Sequence, residues 1–483
     1  MQKRVAYILY GVIFVGLFTF TGCASVNSGA DLSAPEGFIT RSGSILYEGD
    51  EVFKFSSVNC PVLFYNDSMS RITDPFETRD IIETVSQMGG RVLRSMPISV
   101  KRPFEDGSQK MVLAPGEFNE AAFVQLDYAL MLCNEYDVRL ILPLVDCYDF
   151  HGGSPNYNGF RELSATKERG YSYTAHGDPF YTDPQIREDF KKTIEYVLNR
   201  VNTFTGVAYK DDKAILAWST GNELNPTDEW TLDIASYIKS IDPWHLVMDG
   251  NAWVTSEASL KSDDIDILTK HYYPGRTPGV PALDILNDEK EICGAGKALI
   301  IGEYGMYDPP SYDALLRAVY EGQASGAMIW AIRPHLASGG FQNWLERADP
   351  LYYDFHWPGF HTGDGYHEIE TLNIISYWGW KMQGLPVPEK TAPRPPVMLP
   401  VSSVRMIWWQ GSTGAEHYTV QRSLDGEEWI TVAADVVISN YPVNIPFNDT
   451  SAEPGNTYYY RVIAHNSGGA SEPSGASEPV RNR

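Results

Sequence analysis

Positive charge is scarce in this sequence of 483 residues. Lys and Arg together number 38 against 62 Asp and Glu, which gives a formal net charge of −24. No run of basic residues follows the N-terminal segment. Nucleic acids and anionic membrane surfaces are therefore disfavoured as partners, because both are bound through clustered Lys and Arg side chains. A neutral polymer is compatible with this charge.

Cysteine is also sparse, with five residues that are widely spaced and form no Cys-x-x-Cys pair. This spacing excludes a zinc ribbon and a dense disulfide framework. Cys60 and Cys147 both fall near predicted strand ends, so a single bridge between them is one alternative. The other is that Cys60, Cys133, Cys147 and Cys293 are buried thiols.

The common nucleotide, protease and hydrolase motifs are missing. Gly294-Ala-Gly-Lys297 lacks both the upstream Gly and the following Ser or Thr of a phosphate-binding loop. The sequence contains neither a His-Glu-x-x-His motif nor a nucleophile-elbow serine. These absences exclude nucleotide, zinc-protease and serine-hydrolase chemistry, and we expect neither a cofactor nor a metal.

The N-terminal segment MQKRVAYILYGVIFVGLFTFTGC has a basic start and an apolar run over residues 5–20. A run of about 16 residues is short for a membrane span and is typical of a signal peptide. Its end resembles a bacterial lipobox, in which the cysteine is lipidated. We therefore predict a signal peptide over 1–22, a tether over 23–35, and an exported protein that reaches a membrane only through a lipid on Cys23.

A proline-rich stretch, PVPEKTAPRPP at 386–396, interrupts the regular patterns and excludes a helix or central strand there. The length also exceeds what one hydrophobic core usually serves. We predict a large domain over 36–388, a linker over 389–396 and a small domain over 397–483, in a protein that acts as a monomer.

Within the large domain, short apolar runs alternate with stretches of helical period, such as 121–136 and 186–202. The runs cover residues 52–59, 91–94, 139–145, 214–220, 245–249, 265–271, 298–302 and 327–331. Eight such βα units predict an α/β fold of the (β/α)₈ barrel type. A doubly wound open sheet is the rival, but no Gly-x-Gly-x-x-Gly follows the first predicted strand.

Two glutamates follow directly on buried strands: Glu223 ends ILAWSTGNE, and Glu303 ends LIIGE. The carboxyl ends of parallel barrel strands open on one face, so these side chains can converge. A carboxylate beside a buried strand is costly unless it is used. A pair of carboxyls about 5–5.5 Å apart can cleave a glycosidic bond with retention, one protonating the leaving oxygen and the other attacking the anomeric carbon.

This pattern resembles the clan A glycoside hydrolases, and family 5 in particular, in which Asn-Glu closes strand four and Glu closes strand seven. The resemblance implies that Glu223 is the acid/base and Glu303 the nucleophile.

Further positions match the same family. The resemblance implies that Arg94 and Tyr273 flank the nucleophile and that Asn222 binds the sugar 2-hydroxyl. It also implies that His271 supports the acid/base and that Trp330 forms the floor of the subsite that holds the cleaved sugar.

Longer matches, including LDYALMLCNEYDVRLILPLVD and ASYIKSIDPWHLV, resemble the β-mannanase-like branch over most of residues 45–385. That branch usually has Asn-Asn-Trp-Asp after strand three, where this sequence has Asp146-Cys-Tyr-Asp149. Tyr148 thus stands in place of a stacking Trp, and we expect it to bind substrate. Leu224 replaces the Pro that usually follows Asn-Glu.

The resemblance to this branch implies an endo-acting, retaining hydrolase of β-1,4-mannosidic bonds in mannan or glucomannan. An exo-β-mannosidase or a hydrolase of another β-glucan remains an alternative. A catalytically silent surface glycan-binding protein is disfavoured, because both glutamates are present.

The loop after strand eight contains His335, Trp344, His356 and Trp357. These side chains either stack on sugars at the pocket rim or pack within the loop. The sequence leaves both alternatives open.

In the small domain, the hydrophobic period changes to two, which is typical of strands. The stretch PGNTYYYRVIAHNSGGASEPS resembles a fibronectin type III module, with Tyr458 at the tyrosine corner and Trp408 as an inner-face aromatic. Such modules on bacterial hydrolases usually act as spacers. We therefore predict a small β-sandwich whose removal near residue 390 leaves turnover of soluble substrates nearly unchanged.

Overall fold

The computed structural model describes residues 34–65, 71–163, 172–274, 281–343, 354–361, 367–438 and 444–483. No helix in these ranges is long and apolar enough to cross a membrane. The predicted signal peptide, Cys23 and Trp344 lie outside the described residues, as does nearly all of the tether.

Eight parallel strands close into a barrel, each hydrogen-bonded to the next along the chain and the last to the first. In order, strands one to eight are Phe55–Cys60, Val92–Ser95, Arg139–Pro143, Ile215–Ser219, Leu246–Asp249, Ile267–Tyr272, Ala298–Tyr304 and Gly326–Ile329. Each overlaps one of the predicted runs. The (β/α)₈ barrel is therefore confirmed, and the open-sheet rival is excluded.

Helices cover the outside of the barrel and connect its strands. They are Pro75–Gln87, Glu120–Tyr136, Ser154–Phe160, Pro179–Thr182, Pro184–Asn199, Asp228–Ile241, Glu257–Lys261, Pro281–Ile292, Pro309–Glu321 and Glu368–Met382. Four of them begin at an Asp-Pro pair, in which Asp74, Asp178, Asp183 or Asp308 accepts a backbone N–H of the first turn. Proline fits the first helical position because the N–H it lacks has no intrahelical partner there.

Three short strands, Ile39–Ser42, Ile45–Glu48 and Glu51–Val52, form a small antiparallel sheet that the sequence patterns did not predict. Ile39 and Leu46 from this sheet share a buried cluster with residues from the starts of the barrel strands, such as Val92. The sheet therefore covers the amino-terminal end of the barrel. The mouth is at the opposite end.

The loop after strand three, residues 146–153, is held close to its neighbours at the mouth. A Cβ at Gly152 would lie 1.6 Å from the Val100 carbonyl oxygen, and Gly152 has a φ of +80°. Only glycine fits this position without displacing backbone. The close approach fixes the loop that carries Tyr148.

The C-terminal residues form short antiparallel strands. They are Val397–Met398, Trp409–Gln410, His417–Ser423, Ile430–Val436, Thr457–Asn466, Gly469–Ala470 and Val480–Arg481. The buried tryptophan of their core is Trp409. The prediction of Trp408 as the inner-face aromatic was wrong, because Trp408 is only half-buried and lies beside Gly339 of the barrel domain.

Two residues of the barrel domain are part of the hydrophobic cluster of the C-terminal strands. Phe341 and Phe360, from the segment after strand eight, are buried in the same cluster as Trp409. Beside this cluster, the Asp80 carboxylate accepts hydrogen bonds from the His335 backbone N–H at 2.8 Å and from the Thr413 hydroxyl at 2.6 Å. The two predicted domains are thus in direct contact through buried groups.

Cys133, Cys147 and Cys293 are free thiols, and all three are buried. The alternative of a bridge between Cys60 and Cys147 is therefore wrong. Burial raises the pKa of the Cys147 thiol to about 12, and that of the Cys293 thiol to about 12.

Candidate active site

Glu223 and Glu303 converge at the barrel mouth, where both lie near the same nitrogen of the His271 imidazole. His271 Nδ1 lies 2.8 Å from Glu223 Oε1 and 3.4 Å from Glu303 Oε2. One oxygen from each carboxylate and a ring nitrogen all lie within 4.8 Å of one another. This separation matches the short spacing of retaining carboxyl pairs rather than the 6.5–9.5 Å typical of inverting pairs.

Glu303 lies within strand seven and is 5% exposed. Arg94 Nη1 donates to its Oε1 at 2.7 Å, and the Tyr273 hydroxyl donates to its Oε2 at 2.7 Å. A buried carboxylate that is paired with a cation and a second donor is both compensated and held in one orientation. Arg94 and Tyr273 thus flank this carboxylate, as expected from the sequence.

Glu223 follows strand four, with its backbone in the left-handed region at a φ of 51°. The Tyr148 hydroxyl donates to its Oε2 at 2.9 Å, and His271 contacts the other oxygen. Tyr148 was expected to bind substrate, but its hydroxyl contacts the predicted acid/base. Trp253 follows strand five and packs edge-on against His271 at 5.8 Å between ring centroids, a position that sequence reasoning missed.

Asn222 links the two halves of the site. Its Oδ1 accepts a hydrogen bond from Arg94 Nη2, and its Nδ2 donates to Asp146 Oδ1 at 3.0 Å. Asp146 is 1% exposed, and burial raises the pKa of its carboxyl to about 7.

Asn59 at the end of strand one was also missed. Its amide donates to the Gly302 carbonyl at 2.9 Å, and its Oδ1 accepts from Arg94 at 3.1 Å. It therefore ties the guanidinium to the strand that carries Glu303. A second asparagine at a strand end, like Asn222, was the signal that could have found it.

Trp330 follows strand eight and is half-buried at the mouth. Its backbone N–H donates to the Tyr304 carbonyl at 2.9 Å. A Cβ at Gly305 would lie 3.1 Å from the Tyr273 ring and 3.3 Å from the Trp330 carbonyl oxygen. The absent side chain leaves Trp330 and Tyr273 close together beside Glu303.

The described residues of the loop after strand eight pack within the fold. His335 is buried against Asp80 at 3.0 Å, and His356 is buried against Glu368 at 3.0 Å. The Trp357 indole donates to Gln87 at 2.9 Å. The alternative of structural packing therefore holds for these three side chains.

Glu223, His271 and Glu303 are also the single group of three potential metal-ligating side chains within the described ranges. Their facing atoms already take part in the hydrogen bonds described above. Arg94 places a positive charge against Glu303, which disfavours a cation there. The geometry fits a pair of acid/base groups better than a metal centre.

Comparison with known proteins gives consistent results. A family model described as "GH family 5 beta-mannosidase-like" matches residues 64–277. Rice mannan endo-1,4-beta-mannosidase 2 is 28% identical over 376 residues, which cover 65% of this chain and 80% of that protein. Tomato mannan endo-1,4-beta-mannosidase 4 is 30% identical over 275 residues, 49% of this chain and 67% of that protein.

Among solved structures, the endo-beta-1,4-mannanase from Thermotoga petrophila superposes with a TM-score of 0.56 at 22% identity. The superposition covers 90% of this chain and 99% of that one. At this level of identity the likeness shows a shared fold.

Proposed function

This chain belongs to the beta-mannosidase-like group of glycoside hydrolase family 5, and on that premise we propose how its barrel mouth acts on substrate. The enzyme is a glycoside hydrolase that cleaves internal β-1,4-mannosidic bonds of mannan or glucomannan. The observation that carries the proposal is the convergence of Glu223 and Glu303, one oxygen of each lying within 4.8 Å of the other. At that spacing, a double displacement retains configuration.

In the first step, the Glu303 carboxylate attacks the anomeric carbon while the Glu223 carboxyl donates its proton to the departing glycosidic oxygen. A covalent glycosyl-enzyme forms, and the leaving chain departs with the proton. In the second step, the Glu223 carboxylate removes a proton from water. That water displaces Glu303 from the anomeric carbon and so regenerates both groups.

The surrounding contacts support this assignment of roles. Glu303 receives hydrogen bonds from a guanidinium and a phenol, which hold the nucleophile in a fixed orientation. Glu223 contacts Tyr148 and His271, which hold its carboxyl on the opposite side of the cleavage point.

The half-buried Trp330 is suited to form the floor of the subsite for the cleaved sugar. Aromatic rings stack on the apolar faces of sugars while leaving the hydroxyl groups free for hydrogen bonds. Asn222 contributes an amide for the 2-hydroxyl, where a bond that strengthens in the transition state adds to catalysis.

Product analysis on a panel of mannan, galactomannan, glucomannan, cellulose and xylan tests the proposed substrate. We expect mannan-type oligosaccharides of several lengths to appear early, because an endo-acting enzyme cuts within the chain. Release of mannose alone would contradict endo action. Turnover of cellulose or xylan without turnover of mannans would overturn the substrate class.

Substitution of the two glutamates tests their roles. Glu303→Ala should abolish glycosyl-enzyme formation, and azide should restore some turnover with an inverted product. Glu223→Ala should lose about 10²–10⁴-fold on the polymer, and less in the first step on an activated aryl glycoside. With the Glu223→Ala variant, azide should give a product of retained configuration. The reverse stereochemistry would show that the roles of the two glutamates are exchanged. Glu257→Ala, at an exposed position of a helix, serves as a control.

The C-terminal strands are proposed to form a fibronectin type III-like sandwich. The support is the Tyr458 hydroxyl, which accepts a hydrogen bond at 3.0 Å from the N–H of Glu453, five residues upstream. A tyrosine-corner side chain makes a bond of this kind.

Export and lipidation are proposed from the N-terminal sequence. The short apolar run followed by Gly22-Cys23 supports cleavage before Cys23 and a lipid on that residue. The enzyme would then act outside the cytoplasm on polymeric glycan while anchored to a membrane.

A further inference from the structure

A buried carboxylate that the proposed reaction does not use lies next to the site. Asp146 follows strand three, and its backbone pairs with that of Asn222. The Asn222 N–H donates to the Val145 carbonyl at 2.8 Å, and the Cys147 N–H donates to the Asn222 carbonyl at 3.0 Å. The side chain of Asp146 therefore faces Asn222 across a fixed backbone register.

The Asn222 amide sits between two partners of opposite hydrogen-bonding character. Arg94 carries only donors, whereas Oδ1 of the Asp146 carboxyl is an acceptor for the Asn222 N–H. A side-chain amide has an oxygen on one side and a nitrogen on the other, and without partners it can adopt either of the two flipped orientations. With Arg94 facing Oδ1 and Asp146 facing Nδ2, only one orientation satisfies both neighbours.

That orientation determines what the amide can offer to a sugar. Nδ2 has two N–H groups, of which one is donated to Asp146. The second N–H remains for a hydroxyl oxygen at the mouth, whereas a flipped amide would present an acceptor and leave Arg94 facing an NH₂ group. A flip is costly, because it breaks the charge-assisted bond from Arg94 and turns the NH₂ group toward the donors of the guanidinium.

We propose that Asp146 is a positioning residue that fixes the orientation of the Asn222 amide, so that Asn222 donates a hydrogen bond to the 2-hydroxyl of the sugar being cleaved. The inference rests on the proposed function, in which Asn222 contacts that hydroxyl. In this proposal Asp146 itself does not touch substrate and acts on the 2-hydroxyl through Asn222.

The Asp146 carboxyl lies among several charged and titratable groups. Burial raises the pKa of its carboxyl, the nearby Glu223 raises it further, and hydrogen bonds from Asn222 and the Tyr148 N–H together with the charge of Arg94 lower it. The other titratable neighbours, Tyr65 and Cys147, are buried and neutral, because the pKa of each is raised by burial.

The test compares two substrates on the same enzymes: an activated aryl β-mannobioside and its analogue that lacks the 2-hydroxyl on the ring to be cleaved. Asp146→Ala removes the acceptor. We expect kcat/KM on the parent substrate to fall roughly 5–100-fold, as for the loss of one orienting hydrogen bond. On the 2-deoxy analogue the fall should be at most about twofold, since no bond from Asn222 to that hydroxyl exists to be lost.

Asp146→Asn keeps an acceptor oxygen in place and should recover part of the loss on the parent substrate. Asp149→Asn is the matched control, because Asp149 is a buried carboxyl of the same loop whose described partner is the Ser172 N–H at 2.6 Å. A structural effect of this control should lower turnover of both substrates by the same factor.

Equal losses on the two substrates for Asp146→Ala would overturn the inference and leave a structural role. If Asp146→Ala does not fold, Asp146→Asn carries the same comparison. Failure of the proposed function is separate, since the unmodified enzyme would then turn over neither mannan nor the parent mannobioside.

Discussion

Phe341 offers a direct test of whether the barrel and the C-terminal strands are one structural unit. The side chain is 1% exposed and belongs to the core that contains Trp409. Its ring stacks on His335 at 3.9 Å and meets His356 edge-on at 4.9 Å. The Asn444 amide accepts the Phe341 N–H at 2.9 Å and donates to its carbonyl at 2.6 Å.

Truncation to alanine removes a buried ring where the surroundings are held from both sides. Phe→Ala in such a core costs about 3–5 kcal/mol, made up of the lost transfer energy and the cavity. Unfolding entropy is about 2.1 cal/mol/K per residue, or roughly 0.9 kcal/mol/K for about 450 residues. We therefore expect Phe341→Ala to lower the melting temperature by about 3–5 °C.

Differential scanning calorimetry of the full chain measures this change. Because the ring belongs to a shared core, we expect a single transition that moves as a whole. Phe204→Ala is the matched control, since Phe204 is 51% exposed and its loss should change stability by no more than about 0.5 kcal/mol. Two separate transitions, of which only one moved, would refute the shared core.

The same region is connected to the active site. The Phe355 N–H donates to the Ala331 carbonyl at 3.1 Å, next to Trp330. The sequence alone predicted that truncation near residue 390 leaves turnover nearly unchanged. The shared core leads us to expect the opposite, because truncation would expose Phe341 and Phe360 and loosen the segment beside Trp330.

Three further predictions concern single side chains. Tyr148→Phe removes a hydrogen-bond donor to Glu223, so kcat should fall about 5–10-fold, as for the loss of one hydrogen bond. The lost donor also disfavours the carboxylate form of Glu223, so the basic limb of the pH–rate profile should move to higher pH. An unchanged basic limb would show that the Tyr148 hydroxyl does not contact Glu223. The pKa of Asp146 is raised to about 7 in the folded protein from about 3.9 when unfolded, so its contribution to stability is lost as pH rises from 4 to 7. Asp146→Asn removes that loss. Relative to the unmodified protein, the free energy of unfolding of the variant, measured in urea, should therefore increase by up to about 4 kcal/mol as pH rises from 4 to 7, with no further increase above pH 8. A difference that stays constant across this pH range would argue against the raised pKa. In cells, Cys23→Ala should release the enzyme from the membrane fraction or stall its processing, and unchanged membrane association would contradict lipidation.

The barrel and the convergence of its two strand-end glutamates could be predicted because both depend on regular features. Each strand is an apolar run long enough to show its pattern, and parallel strands place Glu223 and Glu303 at the same end. The family resemblance then supplied the partners, of which Arg94, Tyr273 and His271 make the expected contacts.

Other features depend on geometry that the patterns do not carry. The three strands under the barrel have two to four residues each, too few to show a period. Trp408 and Trp409 are adjacent, and a shift of one residue in a strand exchanges the buried side chain. The hydrogen bond from Tyr148 to Glu223 depends on the path of a loop, and a strand-end acid such as Asp146 could be flagged only as an unusual charge.

The three free thiols make the native chain its own set of reporters. A thiol reacts as its thiolate, so burial and a raised pKa keep these side chains unreactive until the surrounding structure opens locally. Cys133 lies in the helix Glu120–Tyr136, Cys147 in the loop that carries Tyr148, and Cys293 directly after the helix Pro281–Ile292. Alkylation followed by peptide mass spectrometry would therefore time the opening of three separate regions without any engineered label. An oligosaccharide bound at the mouth should slow the alkylation of Cys147 and leave the alkylation rate of Cys133 nearly unchanged.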